Sequence, residues 1–183
     1  WESIFSNIHG IDFFFSNTNK LIEYNYDPSW DKDDYDELIN DIIGEGIIAI
    51  CKNPNVISFI NKDDPDTLHI HNGLLVYWDA LSSNPNAIDL LEANQHKINW
   101  SNLSKNPNAI QLLEANQDKI NWSNLSKNPN AIHLLGANQD KIDWSNLSKN
   151  PNAIQLLKIN KDKIDWSKLS KNPNAIDLLE ANK

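Results

Sequence analysis

One 22-residue unit is written several times in succession along this chain, and this repetition restricts the folds open to it. The copies at Trp100–Asn121 and Trp122–Asp143 differ at only three positions. Each copy begins with Trp and carries an Asn-Pro pair six residues later. A unit this short cannot bury its apolar face alone, so neighbouring units must stack on one another to form a shared core. The sequence therefore predicts a repeat array.

The regular copies cover residues 78–183, and diverged copies are predicted over residues 1–77. Residues 1–22 match the unit position by position, and Asn53-Pro54 returns to the same frame after a poorly matched stretch. An insertion around residues 61–73 lengthens the unit that contains it. We therefore expect about eight units in one continuous solenoid, with no independent second domain.

The residues of one unit predict two short helices. In the stretch NPNAIQLLEAN, Asn106 is placed to cap a helix of about ten residues, with Pro107 at its first position. Ile110 and the leucines after it recur at helical spacing, and Asn116 is placed to end the helix in a left-handed conformation. The stretch WSNLS predicts a second, shorter helical turn. The predicted fold class is all-α, an α-solenoid of short two-helix repeats.

A leucine-rich repeat is the main alternative, because its period also reaches about 22 residues. That pattern needs L-x-x-L-x-L-x-x-N along a strand, and Leu103 to Asn106 supplies only its final L-x-x-N. Ser101 stands where the preceding leucine belongs, and Pro107 follows directly, so the strand alternation fails. The α-solenoid is therefore the preferred interpretation.

The recurring Trp and Asn positions are predicted to hold one unit against the next. An indole at the same place in every regular unit favours a packed ladder in the core or at its edge, with an exposed aromatic row for a ligand as the functional alternative. The Asn positions are interpreted as caps and inter-repeat hydrogen-bond ladders. Cys51 lies in the apolar run GIIAICK, which favours a small buried hydrophobic residue over a reactive thiol.

The charge and composition of the chain argue against two classes of partner. Acidic residues number 25 against 16 basic ones, all of them Lys, for a formal net charge of −9. Nucleic-acid-binding surfaces are usually basic and rich in Arg, so no nucleic-acid partner is expected. No apolar run approaches the ~20 residues that span a bilayer, so no membrane partner is expected. A single Cys excludes an internal disulfide and fits a reducing, intracellular location.

No arrangement of nucleophile, acid and base is evident in the sequence, so we expect no enzyme, no catalytic residues and no cofactor. The most metal-like residues lie in the insertion, where Asp63, Asp64, His69 and His71 offer ligands for zinc or another divalent cation. Their spacing fits no closed metal site, and a polar loop with a short extended stretch is the simpler interpretation. A metal-dependent enzyme or metal-binding module centred on Asp63–His71 is the alternative function.

Two positions of the unit vary while its apolar positions do not. They lie five and eight residues after the Asn of Asn-Pro, three residues apart on one helix face. The members of this variable stripe are Asp89, Glu92, Gln111, Glu114, His133, Gln155, Lys158, Asp177 and Glu180, with Gly136 in the same series. Solenoids commonly bind partners through such a surface, so the stripe is a candidate partner-binding site, with drift on a solvent face as the alternative.

The pattern LSKNPNAIxLLEANxDKIDW, closely matched over Trp78–Lys183, resembles the short tandem repeats of giant nucleocytoplasmic large DNA viruses, the mimivirus-like group especially. The resemblance implies a viral protein in the virion or the host cytoplasm and implies no catalytic residues. We expect a non-enzymatic scaffold for protein–protein interaction or virion assembly. The lack of Met and the unit that stops at Lys183 indicate a piece of a longer protein, whose apolar end is expected to allow self-stacking.

Overall fold

The structure is a computed structural model, and it describes residues 44, 46, 48–60, 69–70, 74–75 and 77–182. The chain is grouped into two compact units, unit 1 at residues 1–98 and unit 2 at residues 99–183. The described residues form an all-α array of short helices that recur every 22 residues, which confirms the predicted fold class. The expectation of one continuous solenoid stays a prediction.

A regular repeat contains two α-helices and a short 3-10 turn. The first, here the Trp helix, occurs at Trp78–Leu81, Trp100–Leu103, Trp122–Leu125, Trp144–Leu147 and Trp166–Leu169. The second, here the Ile helix, occurs at Ile88–Ala93, Ile110–Glu114, Ile132–Ala137, Ile154–Ile159 and Ile176–Glu180. The 3-10 turn occurs at Gln95–Lys97, Gln117–Lys119, Gln139–Lys141 and Lys161–Lys163.

Unit 1 also contains a 3-10 helix at Pro54–Phe59 and a pair of two-residue strands. The strands His69–Ile70 and Leu74–Leu75 pair antiparallel, with His69 opposite Leu75. The first strand lies within the predicted insertion at residues 61–73, and the second strand directly follows it.

In unit 2 the Trp helix starts at a side-chain cap that immediately precedes Trp. In unit 2 the caps are Asn99, Asn121, Asp143 and Asp165. The side-chain oxygen of each accepts a hydrogen bond from the backbone N–H three residues on, at 3.0–3.1 Å. Asn and Asp are favoured at this place because the bond satisfies one of the free N–H groups of the first turn. So short a helix is unstable alone, and the cap and the packing of adjacent repeats hold it in place.

The long helix predicted from Asn106 to Asn116 is wrong at its start. The Ile helix of this repeat covers only Ile110–Glu114. Asn106 Oδ1 accepts a hydrogen bond from the backbone N–H of Asn108 at 3.1 Å, so Asn-Pro-Asn forms a side-chain-stabilised turn that precedes the helix. The sequence prediction fails here because an Asn side chain stabilises turns and helix starts by the same kind of bond.

The prediction for the end of this helix is also corrected, because Asn116 acts through its side chain. Its φ of −134° is not the left-handed conformation expected from the sequence. Its amide instead donates a hydrogen bond to the carbonyl oxygen of Leu112 at 3.0 Å. Asn138 and Asn160 make the same bond in the next two repeats. One carbonyl left free at the end of each helix is thereby satisfied.

The core of unit 2 is built from apolar positions that recur from repeat to repeat. In the repeat that begins at Trp100 they are Leu103, Ala109, Leu112, Leu113 and Ile120, all of them buried. Burying one leucine side chain contributes roughly 1.5–3 kcal/mol. Since each repeat supplies one such layer and covers the layer of its neighbour, burial between repeats is the main force that stacks them.

Candidate functional site

Within each unit, buried asparagines join a repeat to the one before it. The side-chain amide of Asn150 donates two hydrogen bonds, to the carbonyl oxygen of Asn128 at 2.9 Å and to that of Ser126 at 3.1 Å. The equivalent buried donors are Asn84, Asn128 and Asn172. We call this series the Asn ladder. It confirms the inter-repeat hydrogen bonds that the sequence predicts.

The last Asn of Asn-Pro-Asn contributes to the same junction. The amide of Asn152 donates a hydrogen bond to the carbonyl oxygen of Pro129 at 2.9 Å, across one repeat boundary. Asn130 and Asn174 make the equivalent bond in unit 2. Proline has no N–H but keeps its carbonyl, so it can act here as an acceptor. The whole Asn-Pro-Asn motif is therefore explained by stacking.

Buried serines close the Trp helices that begin at Trp100, Trp122 and Trp144, and each of them also binds the start of the next Trp helix. Ser126 Oγ donates to the carbonyl oxygen of Trp122 at 2.8 Å and accepts the backbone N–H of Asp143 at 3.1 Å. Ser104 and Ser148 make both bonds in the neighbouring repeats. A buried polar group without a partner costs about 1–3 kcal/mol, so these paired contacts favour one alignment of adjacent repeats.

Two of the caps in unit 2 are carboxylates held by hydrogen bonds. Burial by itself raises the pKa of Asp143. Hydrogen bonds from the Asn146 N–H and the Ser123 hydroxyl, together with the charge of Lys168, lower it by more, so the pKa of Asp143 lies below its usual value. The Ser123 hydroxyl lies 2.7 Å from Asp143 Oδ2. For Asp165, a hydrogen bond from the Ser145 hydroxyl is the main cause that lowers the pKa. Both carboxylates therefore favour the ionised form in the folded chain.

Each of four Trp rings has a lysine over its face. The Nζ atoms of Lys119, Lys141 and Lys163 lie 4.7 Å from the ring centroids of Trp100, Trp122 and Trp144. In unit 1, Lys97 lies 5.2 Å from the centroid of Trp78. An ammonium group at this distance is attracted to the ring face. The rings are half-buried, so burial and the lysine together favour the packing interpretation of the Trp position.

All nine residues of the variable stripe are exposed on the Ile helices. Asp89 and Glu92 belong to unit 1, and the others belong to unit 2. Within unit 2 the Asn ladder joins successive repeats, and their stripe residues stand at equivalent places on the Ile helices. The structure therefore places the variable residues of unit 2 on the exposed sides of successive Ile helices.

The metal candidates are not assembled by the part of the chain that the structure describes. Asp63, Asp64 and His71 lie outside the described residues, and only the backbone of His69 is described. Within the described ranges, no three side chains of His, Cys, Asp or Glu come together as a metal ion would require.

Cys51 is fully buried in unit 1, as expected for a small hydrophobic residue. Burial raises the pKa of its thiol to about 11, and a hydrogen bond from the backbone N–H of Tyr77, at 3.5 Å, lowers it only in part. Since the thiolate is the reactive form, this cysteine is held in its unreactive, protonated state at neutral pH.

Sequence reasoning missed two features of the Trp helices, the side-chain cap before the Trp in unit 2 and the lysine over four of the rings. The signal for both is in the sequence, because Asn or Asp always precedes the Trp of a regular repeat after the first, and Lys always stands three residues before it. Their roles were not evident because the lysine contacts a Trp that lies 19 residues earlier.

None of the helices in the described ranges has the length and apolar character that a bilayer crossing requires.

No protein-family model, curated protein or solved structure matches this chain.

Proposed function

We propose that this chain is a non-enzymatic scaffold that binds a protein partner through the variable stripe of its Ile helices. One observation carries the proposal. Polar residues that recur from repeat to repeat, such as Asn128 and Ser126, are hydrogen-bonded into the junctions between repeats. Residues that change from repeat to repeat, such as Glu114 and Lys158, face the solvent.

This division suits a binding surface. The stripe residues are carried on helices whose backbone is fixed by the Asn ladder and the apolar core, so their side chains start from well-defined places. Position 114 holds Glu, and the equivalent position 158, two repeats later, holds Lys, so the charge at this place differs in sign between the two repeats. Such a change alters what the surface binds while it leaves the stacking contacts in place.

The resemblance to giant-virus tandem repeats supports a setting in the virion or the host cytoplasm. A protein partner is favoured over a nucleic acid because the chain carries a formal net charge of −9 and no Arg. Several stripe residues are themselves acidic, among them Asp177 and Glu180. Like charges across an interface suppress wrong partners, so the stripe disfavours polyanions.

The proposal is tested by affinity capture from cells infected with a giant virus, with the tagged chain as bait. The informative variant is Glu114→Lys/Glu180→Lys, which reverses two stripe charges. Lys105→Glu/Lys171→Glu is the matched control, because these exposed lysines lie in the turns outside the stripe. We expect the captured protein to be lost with the stripe variant and kept with the control. Capture that is the same with both variants, or no capture by the wild type, would contradict the proposal.

A further inference from the structure

The charge of the variable stripe reverses within unit 2. The pairs carry one negative charge at Gln111/Glu114, none at His133/Gly136, one positive at Gln155/Lys158 and two negative at Asp177/Glu180. The one positive pair therefore follows a neutral repeat and precedes an acidic one.

Three departures from the repeat pattern fall together at the end of one Ile helix. Lys158, Ile159 and Lys161 stand where the repeat that begins at Trp100 has Glu, Ala and Gln. Both lysines are exposed, and Ile159 is 80% exposed. A single exposed apolar residue is ordinary on a protein surface. Here the exposed isoleucine stands next to Lys158 and two residues before Lys161, and the three changes together create a surface of mixed basic and apolar character.

The preceding repeat leaves open space beside this turn. Gly136 is the equivalent of Lys158 one repeat earlier, and a Cβ placed on it would meet no atom within 4 Å. Gly136 and Lys158 stand at equivalent places on the Ile helices of two repeats that the Asn ladder joins. The missing side chain at Gly136 therefore leaves open space on the repeat that precedes Lys158 and Ile159.

Helix electrostatics explain only one of the three changes. Lys158 lies in the last turn of Ile154–Ile159, where a cation interacts favourably with the helix dipole. That effect does not account for Lys161, which begins the following 3-10 turn, or for the exposed Ile159. The helix Ile132–Ala137 ends without a lysine or an isoleucine, so the fold does not require them.

We infer that a window formed by Gly136, Lys158, Ile159 and Lys161 binds a short acidic segment of a partner protein that carries an aliphatic or aromatic side chain. The two ammonium groups pair with carboxylates of the partner segment. Because lysine side chains are flexible, they can pair with carboxylates that approach from several directions. Ile159 and the bare surface at Gly136 receive the apolar side chain. This inference rests on the proposed scaffold function and specifies the chemistry of its partner.

The window occupies two repeats, and this limits the length of the ligand. Glu114 and Glu180 stand in the repeats on either side of the window, where they contact other parts of the partner. Two adjacent helices span roughly 20 Å, which corresponds to about six residues of extended peptide. We therefore expect a segment of this length, with its apolar residue flanked by acidic ones.

The test uses fluorescence anisotropy with labelled hexapeptides of five Glu residues and one Leu or Phe, placed at each position in turn. The informative variant is Lys158→Glu/Ile159→Ala/Lys161→Gln, which copies the repeat at Trp100 and therefore keeps the stacking residues. We expect at least one peptide to bind the wild type at least tenfold more tightly than this variant. Hexaglutamate is expected to bind more weakly than that peptide, because it lacks the apolar side chain.

Equal binding to wild type and variant, or no peptide that binds better than hexaglutamate, would overturn the inference. The single variant Ile159→Ala distinguishes a peptide ligand from a phosphate ligand such as oligothymidylate. Only the peptide should bind this variant more weakly than the wild type. Oligothymidylate that binds more tightly than every peptide would also overturn it.

The two proposals fail differently in the capture experiment. A partner lost with Glu114→Lys/Glu180→Lys but kept with the triple variant contradicts the window and leaves the scaffold function standing.

Discussion

The side-chain amide of Asn150 lies 2.9 Å from the carbonyl oxygen of Asn128, which is its own equivalent one repeat earlier. A bond between two copies of one residue can be extended to any number of repeats without a change of geometry. Because the amide and its acceptors are buried, shifting one repeat against another would leave them unsatisfied. Burial of leucines favours stacking but is non-directional, so it does not by itself fix how repeats align. The Asn ladder therefore fixes the alignment of one repeat on the next.

The lysine over each indole is expected to stabilise the fold. Lys141→Met keeps an unbranched side chain over Trp122 but removes the charge, and should lower the free energy of unfolding by about 0.5–1 kcal/mol. Lys127→Met is the control, since Lys127 is exposed in the turn. Urea denaturation measures both. The same change in the two variants would contradict a role for the ring contact.

The carboxylate of Asp143 is expected to make stability fall in acid. Because its pKa in the folded chain lies below the usual value, its stabilisation is present above about pH 4 and is lost as the pH falls through the folded pKa. Asp143→Asn has the cap that Asn121 already provides and cannot titrate. Thermal melts at about pH 7 and about pH 3 should show a smaller loss for this variant than for wild type. Asp140→Asn, at an exposed position, should keep the wild-type loss.

Gly136 is expected to weaken the helix that contains it. A Cβ at this position has open space, and Gly in a helix is less favourable than Ala by about 0.5–1 kcal/mol. Gly136→Ala should therefore raise the free energy of unfolding by that amount. The reverse change at the equivalent position, Glu114→Gly, should lower it. Denaturant unfolding of both variants checks the prediction, and a loss of stability in Gly136→Ala would refute it.

The thiol of Cys51 is expected to be unreactive in the folded chain. Its pKa is raised to about 11 by burial, and the side chain is inaccessible to reagents. Reaction with Ellman's reagent at neutral pH should be slow under native conditions and fast in concentrated urea. Equal rates in the two conditions would show that the thiol is accessible without unfolding.

The repeat step, the helical class and the Asn ladder could be predicted from the sequence, because periodicity reports directly which residues occupy equivalent places. The length of the Ile helix could not. Asn106 and Pro107 fit the start of a helix and the start of a turn equally well. The Asn106 side chain accepts the Asn108 N–H within the turn, and the amide of the equivalent Asn128 bonds to the preceding repeat. The bonds to the preceding repeat form only in the folded array.

The candidate stripe was also accessible from the sequence, since variation within the repeat points to residues outside the core. The window at Lys158 was not, because its parts become neighbours only through stacking. Gly136 and Ile159 are 23 residues apart in the chain, and the exposure of Ile159 is a property of the folded repeat. Likewise, the contact between Lys141 and Trp122 joins residues whose proximity no local pattern indicates.

The central claim is that the recurring polar residues hold the stack and the variable residues do not. Urea denaturation of Asn150→Ala and of Glu114→Lys/Glu180→Lys tests it most directly. We predict that Asn150→Ala lowers the free energy of unfolding by about 1–3 kcal/mol, because the carbonyls of Ser126 and Asn128 lose their partner. The stripe variant should change it by no more than about 0.5 kcal/mol. An unchanged stability of Asn150→Ala, or an equal loss in the stripe variant, would contradict the account.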